Sequence, residues 1–166
     1  MNRRNLLFVL VCIVVAAFVL PSLFRSERGR VRAAFRAAAE NLEKTGPENL
    51  LAAGLKAKAL GELVDGKLHL VLPELGYNAE YEAREVQQQV VYARNQMGNL
   101  HVEFQQIEIE FPAPGEASAT ADALVTGDLD GFRGRDVRAV YARLRKDPET
   151  KKWRFRDVRV EPVLVQ

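Results

Sequence analysis

The stretch Leu100-His101-Val102-Glu103-Phe104-Gln105-Gln106-Ile107-Glu108-Ile109-Glu110-Phe111 decides how this chain is read. Leu100, Val102 and Phe104 share one face of an extended strand, because successive side chains point to opposite sides. Ile107, Ile109 and Phe111 have the other parity. A regular strand would leave one set in water, so the pattern predicts a bulge near Gln105 that returns both sets to one face. The C-terminal segment repeats the device: Trp153 and Phe155 precede Val158, Val160, Pro162 and Leu164 of reversed parity. A second bulge is expected near Arg156-Asp157.

Between these segments the period stays at two. Ala117, Ala119, Ala121, Ala123 and Val125 alternate with Ser118, Thr120, Asp122 and Thr126, and Val140, Ala142 and Leu144 mark the next strand. Pro112–Gly115 and Asp147-Pro148 supply turns, and Gly127–Gly134 reads as a Gly/Asp-rich connection. Upstream the period is helical. Val31, Ala34, Phe35, Ala38 and Leu42 form one stripe; Pro47 is suited to open a second helix faced by Leu51, Leu55, Ala59 and Leu63. Asp65-Gly66 ends that helix, and Leu68, Leu70 and Leu72 line one side of a short strand closed by Pro73. A third helix is expected from about Ala79 to Met97, with Val86, Val90, Ala93 and Met97 inward and Gly98-Asn99 as its stop. Three helices, one small strand and a four-strand meander make an α+β domain, its helices on one face of an antiparallel sheet.

This arrangement resembles the nuclear transport factor 2-like superfamily, also called ketosteroid isomerase-like or SnoaL-like. The resemblance is carried by Val31-Arg32-Ala33-Ala34-Phe35, by Lys58–Leu63 leading to Leu68-His69-Leu70, by the third helix running into Leu100–Phe104, and by Lys152–Val160. It spans about residues 28–164. It implies a cone-shaped, curved antiparallel sheet wrapped around a long N-terminal helix, with a pocket at the wide end. The superfamily includes enzymes, binding modules and assembly scaffolds, so fold alone does not assign function. Some of its isomerases use a tyrosine on the first helix and two carboxylic acids in an apolar pocket. Here the first helix offers Phe35 and no tyrosine, a departure that counts against isomerase chemistry. Other members are exported on a single membrane helix.

Such a helix is written at the start of this chain. Leu6–Leu20 is uninterruptedly apolar and Leu23 and Phe24 follow. A helix counted to Phe24 would be roughly 28 Å long, close to the hydrocarbon core of a bilayer. Arg3 and Arg4 form a short basic head. Val15-Ala16-Ala17 resembles a weak signal-peptide cleavage site, but the apolar run continues past it. We therefore expect residues 1–24 to be a single-pass anchor in a bacterial inner membrane, with domain 25–166 on the periplasmic side. Net charge is +2, and Arg3 and Arg4 account for it, so the domain is neutral and lacks the footprint of a nucleic-acid binder. The only cysteine, Cys12, lies in the apolar run, which leaves the domain without thiol chemistry.

No set of residues has catalytic or metal-binding spacing, and no cofactor is expected. His69 and His101 sit at outward strand positions with no acid or second histidine at ligand spacing. Candidate pocket residues are Phe35, Tyr92, Phe104, Asp122, Tyr141 and Trp153. Asp122 falls opposite the alanines and reads as surface, Trp153 as core, and Asp65 as a turn residue. Residues 98–132 hold seven acids and no Lys or Arg, whereas residues 133–166 hold eleven Lys and Arg against five acids. Adjacent strands would set these charges opposite each other. The expected function is non-catalytic binding of a small apolar ligand or a protein partner by a membrane-tethered domain, which could also pair with itself through the sheet. The alternative is a small-molecule isomerase or hydrolase using a pocket acid such as Asp65 or Asp122.

Overall fold

The computed structural model describes residues 27–129 and 132–163. The expected anchor, residues 6–24, lies outside them; among the described residues no helix is long and apolar enough to cross a membrane. Helix α1 occupies residues 27–42. It is followed by β1 (Lys44–Thr45), α2 (Leu50–Glu62), β2 (Val64–Leu72), a 3-10 turn (Pro73–Leu75), β3 (Tyr77–Glu82) and α3 (Ala83–Gln96). The long strands β4 (Met97–Ala113), β5 (Glu116–Leu129), β6 (Phe132–Lys146) and β7 (Trp153–Pro162) complete the order. All seven strands belong to the unit Val31–Gln166 and form one sheet in the order β1-β4-β5-β6-β7-β2-β3.

The sheet curves around α1, and the core shows why. Val31, Ala34, Phe35 and Ala38 of α1 share one buried cluster with Ile109 of β4, three alanines of β5, Ala142 and Leu144 of β6, and Trp153 and Phe155 of β7. One helix meets four successive strands only if the sheet bends toward it. Ala117, Ala119 and Ala121 are small enough for α1 to approach closely, and Phe35 fills the remaining space. Its ring stands edge-on to Phe104 at 5.2 Å and to Phe155 at 5.1 Å, contacts that add about 0.5–1.5 kcal/mol each beyond burial.

Both expected bulges are present. On β4 the pairing with β5 shifts by one residue between Gln105 and Glu108, and Gln106 adopts φ +50°. On β7, Arg143 pairs with Asp157 and Leu144 with Phe155, leaving Arg156 as the extra residue. Each bulge keeps the apolar residues before and after it on the α1 side.

Five expectations are corrected. First, the sheet is mixed: β2 runs parallel to β7 and gains a further antiparallel neighbour, β3. Second, residues assigned to the start of the third helix form β3, whose Tyr77 to Glu82 pair in register with Leu72 to Lys67. Helix begins only at Ala83, where Glu82 and Glu85 form a reciprocal capping box. Third, α2 starts after Asn49, whose side chain accepts the Ala52 N–H at 2.8 Å, and not at Pro47. It buries Ala53, Ala57, Leu60 and Gly61 while Leu50, Leu51 and Leu55 are exposed. Small residues win that face because α2 lies close on α3: a Cβ at Gly61 would come within 2.9 Å of three Gln87 side-chain atoms. Fourth, the Gly127–Gly134 segment is mostly strand, with β5 and β6 paired as far as Leu129 and Phe132. Asp65 likewise lies in β2, beside Gly66 at φ +70°, and not in a turn. In the register of β5 and β6, Glu116 stands opposite Arg145.

The helices are tied together by a buried cation. Arg94 of α3 is 3 % exposed. Its Nε and Nη2 donate to the two Glu48 carboxylate oxygens at 2.8 Å each. Nη1 donates to the carbonyls of Asn41 and Leu42, and Nη2 to that of Glu43. One guanidinium thereby caps the C-terminus of α1, where the free carbonyls favour positive charge. Lys44 in turn donates to the Arg94 carbonyl. This cluster fixes α3, the helix that walls the interior space.

Candidate ligand cavity

Around β5, where α1 lies on alanines, the interior is filled. Toward β2 and β3, α3 replaces α1 as the facing helix and a hollow of about 520 Å³ remains. Leu68, Leu70 and Leu72 of β2 enter it from one side, Val86, Val90 and Ala93 of α3 from another, and Val140 and Val158 from β6 and β7. Phe35, Ala38, Leu60, Val64, Val140 and Phe155 are its buried lining residues. Among the described residues, polar side-chain atoms come only from Tyr77, Tyr81, Gln89 and Tyr92. Tyr92 is 65 % exposed and Gln89 is also exposed, while Tyr77 and Tyr81 are half-buried. The cavity is therefore apolar at depth and acquires oxygen and nitrogen toward solvent. Among the described residues, no Asp, Glu, His, Cys, Lys or Arg lines it.

The opposite face of the sheet holds a larger groove, of about 770 Å³, with the reverse chemistry. It is lined by His69, Glu108, Glu110, Ser118, Thr120, Tyr141, Arg143, Asp157, Arg159 and Glu161, among others. His69 Nδ1 lies 3.2 Å from Asp157 Oδ1 and Nε2 lies 2.7 Å from Asn78 Oδ1. The Asn78 oxygen first, then the Asp157 carboxylate, holds the imidazole pKa above its usual range. Arg159 is paired with Glu161. Acids and bases here offset one another on an open sheet face, as in ordinary surface ion pairs. At the C-terminal end of β2, Arg138 is paired with Glu74 and with Asp136 at 2.6 Å, and these bonds hold its guanidinium above its usual pKa. No group of three or more His, Cys, Asp or Glu among the described residues is placed to hold a metal.

The structure brings three of the six candidate residues into the cavity: Phe35, Tyr92 and Phe104. Asp122 and Tyr141 point to the opposite face, where Tyr141 is 44 % exposed. Their neighbours Ala121, Ala123, Val140 and Ala142 are buried, and alternation leaves no other place for them. Trp153 is buried at the filled end with its ring 5.7 Å from that of Phe111. Asp65, the other acid weighed for chemistry, lies 3.9 Å from Arg145 and does not line the cavity. Tyr77 and Tyr81, which are not among the six candidates, also line the cavity; the alternation Tyr77, Ala79, Tyr81 against Asn78, Glu80, Glu82 sets them on one face, a signal obscured where residues from Ala79 onward read as helix.

No family model matches the sequence, and no curated protein matches it. Solved structures do match in shape. A candidate scytalone dehydratase from Novosphingobium aromaticivorans superposes with a TM-score of 0.68 at 11% identity, covering 87% of this chain and 89% of its own. ActVI-ORFA from Streptomyces coelicolor gives 0.62 at 10% identity over 84% and 99%. A nuclear transport factor 2-like protein with a cystatin-like fold from N. aromaticivorans gives 0.64 at 15% identity over 90% of each chain. With a curved seven-stranded mixed sheet and three helices among the described residues, and with these structural neighbours, the chain has the nuclear transport factor 2-like fold.

Proposed function

We propose that the domain is a receptor for a small apolar ligand held in the interior cavity, and that it performs no chemistry on that ligand. One observation carries the reading: a hollow of about 520 Å³ whose described lining contains no general acid or base other than tyrosine. General acid–base catalysis needs a group of suitable pKa within hydrogen-bond reach of the reacting atom, and the carboxylates Asp65 and Asp122 are elsewhere. Apolar cavities with a few convergent polar groups are the usual form of small-molecule sites. The apolar run Leu6–Leu20 supports placing this receptor on a bacterial inner membrane with the domain in the periplasm. Protease accessibility in intact spheroplasts tests that part.

The binding test uses the full chain in lipid nanodiscs titrated with Nile red, with the Leu70→Trp chain as background. Leu70 lies in the cavity wall, so an indole there takes up part of the hollow that Phe35 also lines. The expected result is saturable fluorescence in the wild type beyond the signal of the variant, with matching circular dichroism. Equal signals from the two chains would refute the reading.

A second reading is favoured by the names of the structural neighbours, which include a candidate dehydratase: the domain is a small-molecule isomerase or hydrolase whose acid, Asp65 or Asp122, lies outside the described cavity lining. Turnover of enolisable ketones or hydroxylated aromatics that is lost in Asp65→Asn or Asp122→Asn would establish it. The open sheet face leaves self-association as a further proposal, tested by sedimentation.

A further inference from the structure

We infer that the cavity selects an uncharged ligand with an apolar body and one terminal oxygen, which enters body first and leaves its oxygen among Tyr77, Tyr81, Gln89 and Tyr92. The inference rests on the receptor reading and goes further by naming the ligand class and its direction. Polarity inside the cavity is graded. The buried end is hydrocarbon and aromatic ring; hydroxyl and amide groups appear only on the β3 and α3 side. A ligand with one polar end gains most when that end meets those groups, and it loses hydrogen bonds if reversed.

Charge excludes the ionic alternatives. A carboxylate would need a cation, and no Lys or Arg is in the described lining; two cations that flank lining residues are engaged elsewhere. Arg94, next to Ala93, is closed by Glu48 and three carbonyls. Arg138, two residues from Val140, is paired with Glu74 and Asp136. An ammonium group would find no carboxylate in the described lining, and burying either ion unpaired is costly.

The test uses the full chain in nanodiscs, with Nile red displaced by 1-decanol, 1-chlorodecane, decanoate or decylammonium and the Leu70→Trp signal subtracted. 1-Decanol is expected to displace the dye at concentrations at least about tenfold below either ion. Tyr77→Phe/Tyr81→Phe/Gln89→Leu is expected to raise the 1-decanol requirement about fivefold and leave 1-chlorodecane unchanged. Either ion acting within tenfold of 1-decanol overturns the inference, as does a variant that shifts both neutral compounds alike; cavity binding itself would then stand. Absence of specific Nile red binding overturns the receptor reading and this inference with it.

Discussion

Replacing Arg94 by methionine keeps the apolar stem and removes five hydrogen bonds. It strands the Glu48 carboxylate, whose side chain is 12 % exposed, with Lys56 at 3.7 Å as its remaining ionic partner. The Asn41 and Leu42 carbonyls at the end of α1 lose the Arg94 donor as well, while that of Glu43 keeps Lys56 Nζ at 2.7 Å. Breaking a buried ion pair from one side costs about 3–5 kcal/mol, because the remaining charge is left uncompensated. A domain of this size has about 5–15 kcal/mol in total. With a urea slope of about 2 kcal/mol per molar, the midpoint should fall by about 2 M with the slope unchanged. Arg94→Met/Glu48→Leu, which removes both charges, should recover about 1–3 kcal/mol. The same pair predicts an acid limb. The Arg94 hydrogen bond, opposed by burial, holds the Glu48 carboxyl below its usual range. That contribution is complete above about pH 4.5 and is lost as pH falls through the folded value, so Arg94→Met should flatten it. A loss below about 1 kcal/mol for Arg94→Met would refute the reasoning. A double variant no more stable than the single one would do the same.

Three further outcomes follow from the packing. Deleting Gln106 removes the extra residue of the β4 bulge; Ile107 then follows Gln105 and keeps to the face of Phe104, so Ile107, Ile109 and Phe111 stay inward on a regular strand. Circular dichroism should show a cooperative melt, and an unfolded chain would contradict the register. Gly61→Ala should cost about 1 kcal/mol despite alanine's higher helix propensity, because its Cβ meets Gln87. Gln87→Ala in the same chain should restore stability, and additive losses in the double-mutant cycle would disprove the contact. His69 has a raised pKa in the folded state, so its contribution is fully present below about pH 6.5 and fades as pH rises through the folded value. The gap in melting temperature between wild type and His69→Asn should narrow from pH 5.5 to 9; a gap that widens would reverse the assignment.

How much of this was legible depends on where a choice was forced locally. The bulges at Gln106 and Arg156 were readable because a period-two pattern with a parity change admits one solution if all apolar residues are to be buried. The outward positions of Asp122 and Tyr141 were fixed by the same alternation. Strand β3 was not legible: Ala79–Glu85 is rich in helix formers, and its strand form depends on pairing with β2, a tertiary contact. The buried face of α2 was equally hidden, since its apolar residues surround the helix and the choice fell to Ala53, Ala57 and Gly61 through close approach to α3. Arg94 lies four residues after Val90, on the apolar stripe of α3, yet only the fold shows that Glu48 and the end of α1 meet it there. The cavity was anticipated through resemblance, but its lining could not be listed while β3 was read as helix.

The central claim is that the interior hollow receives the ligand, and intermolecular nuclear Overhauser effects from bound 1-decanol test it most directly. The account predicts contacts from the chain-end methyl to the rings of Phe35, Phe104 and Phe155, and from the carbinol protons to Tyr77 and Tyr81. Contacts confined to Thr120 and Tyr141 on the far side of the sheet would contradict it.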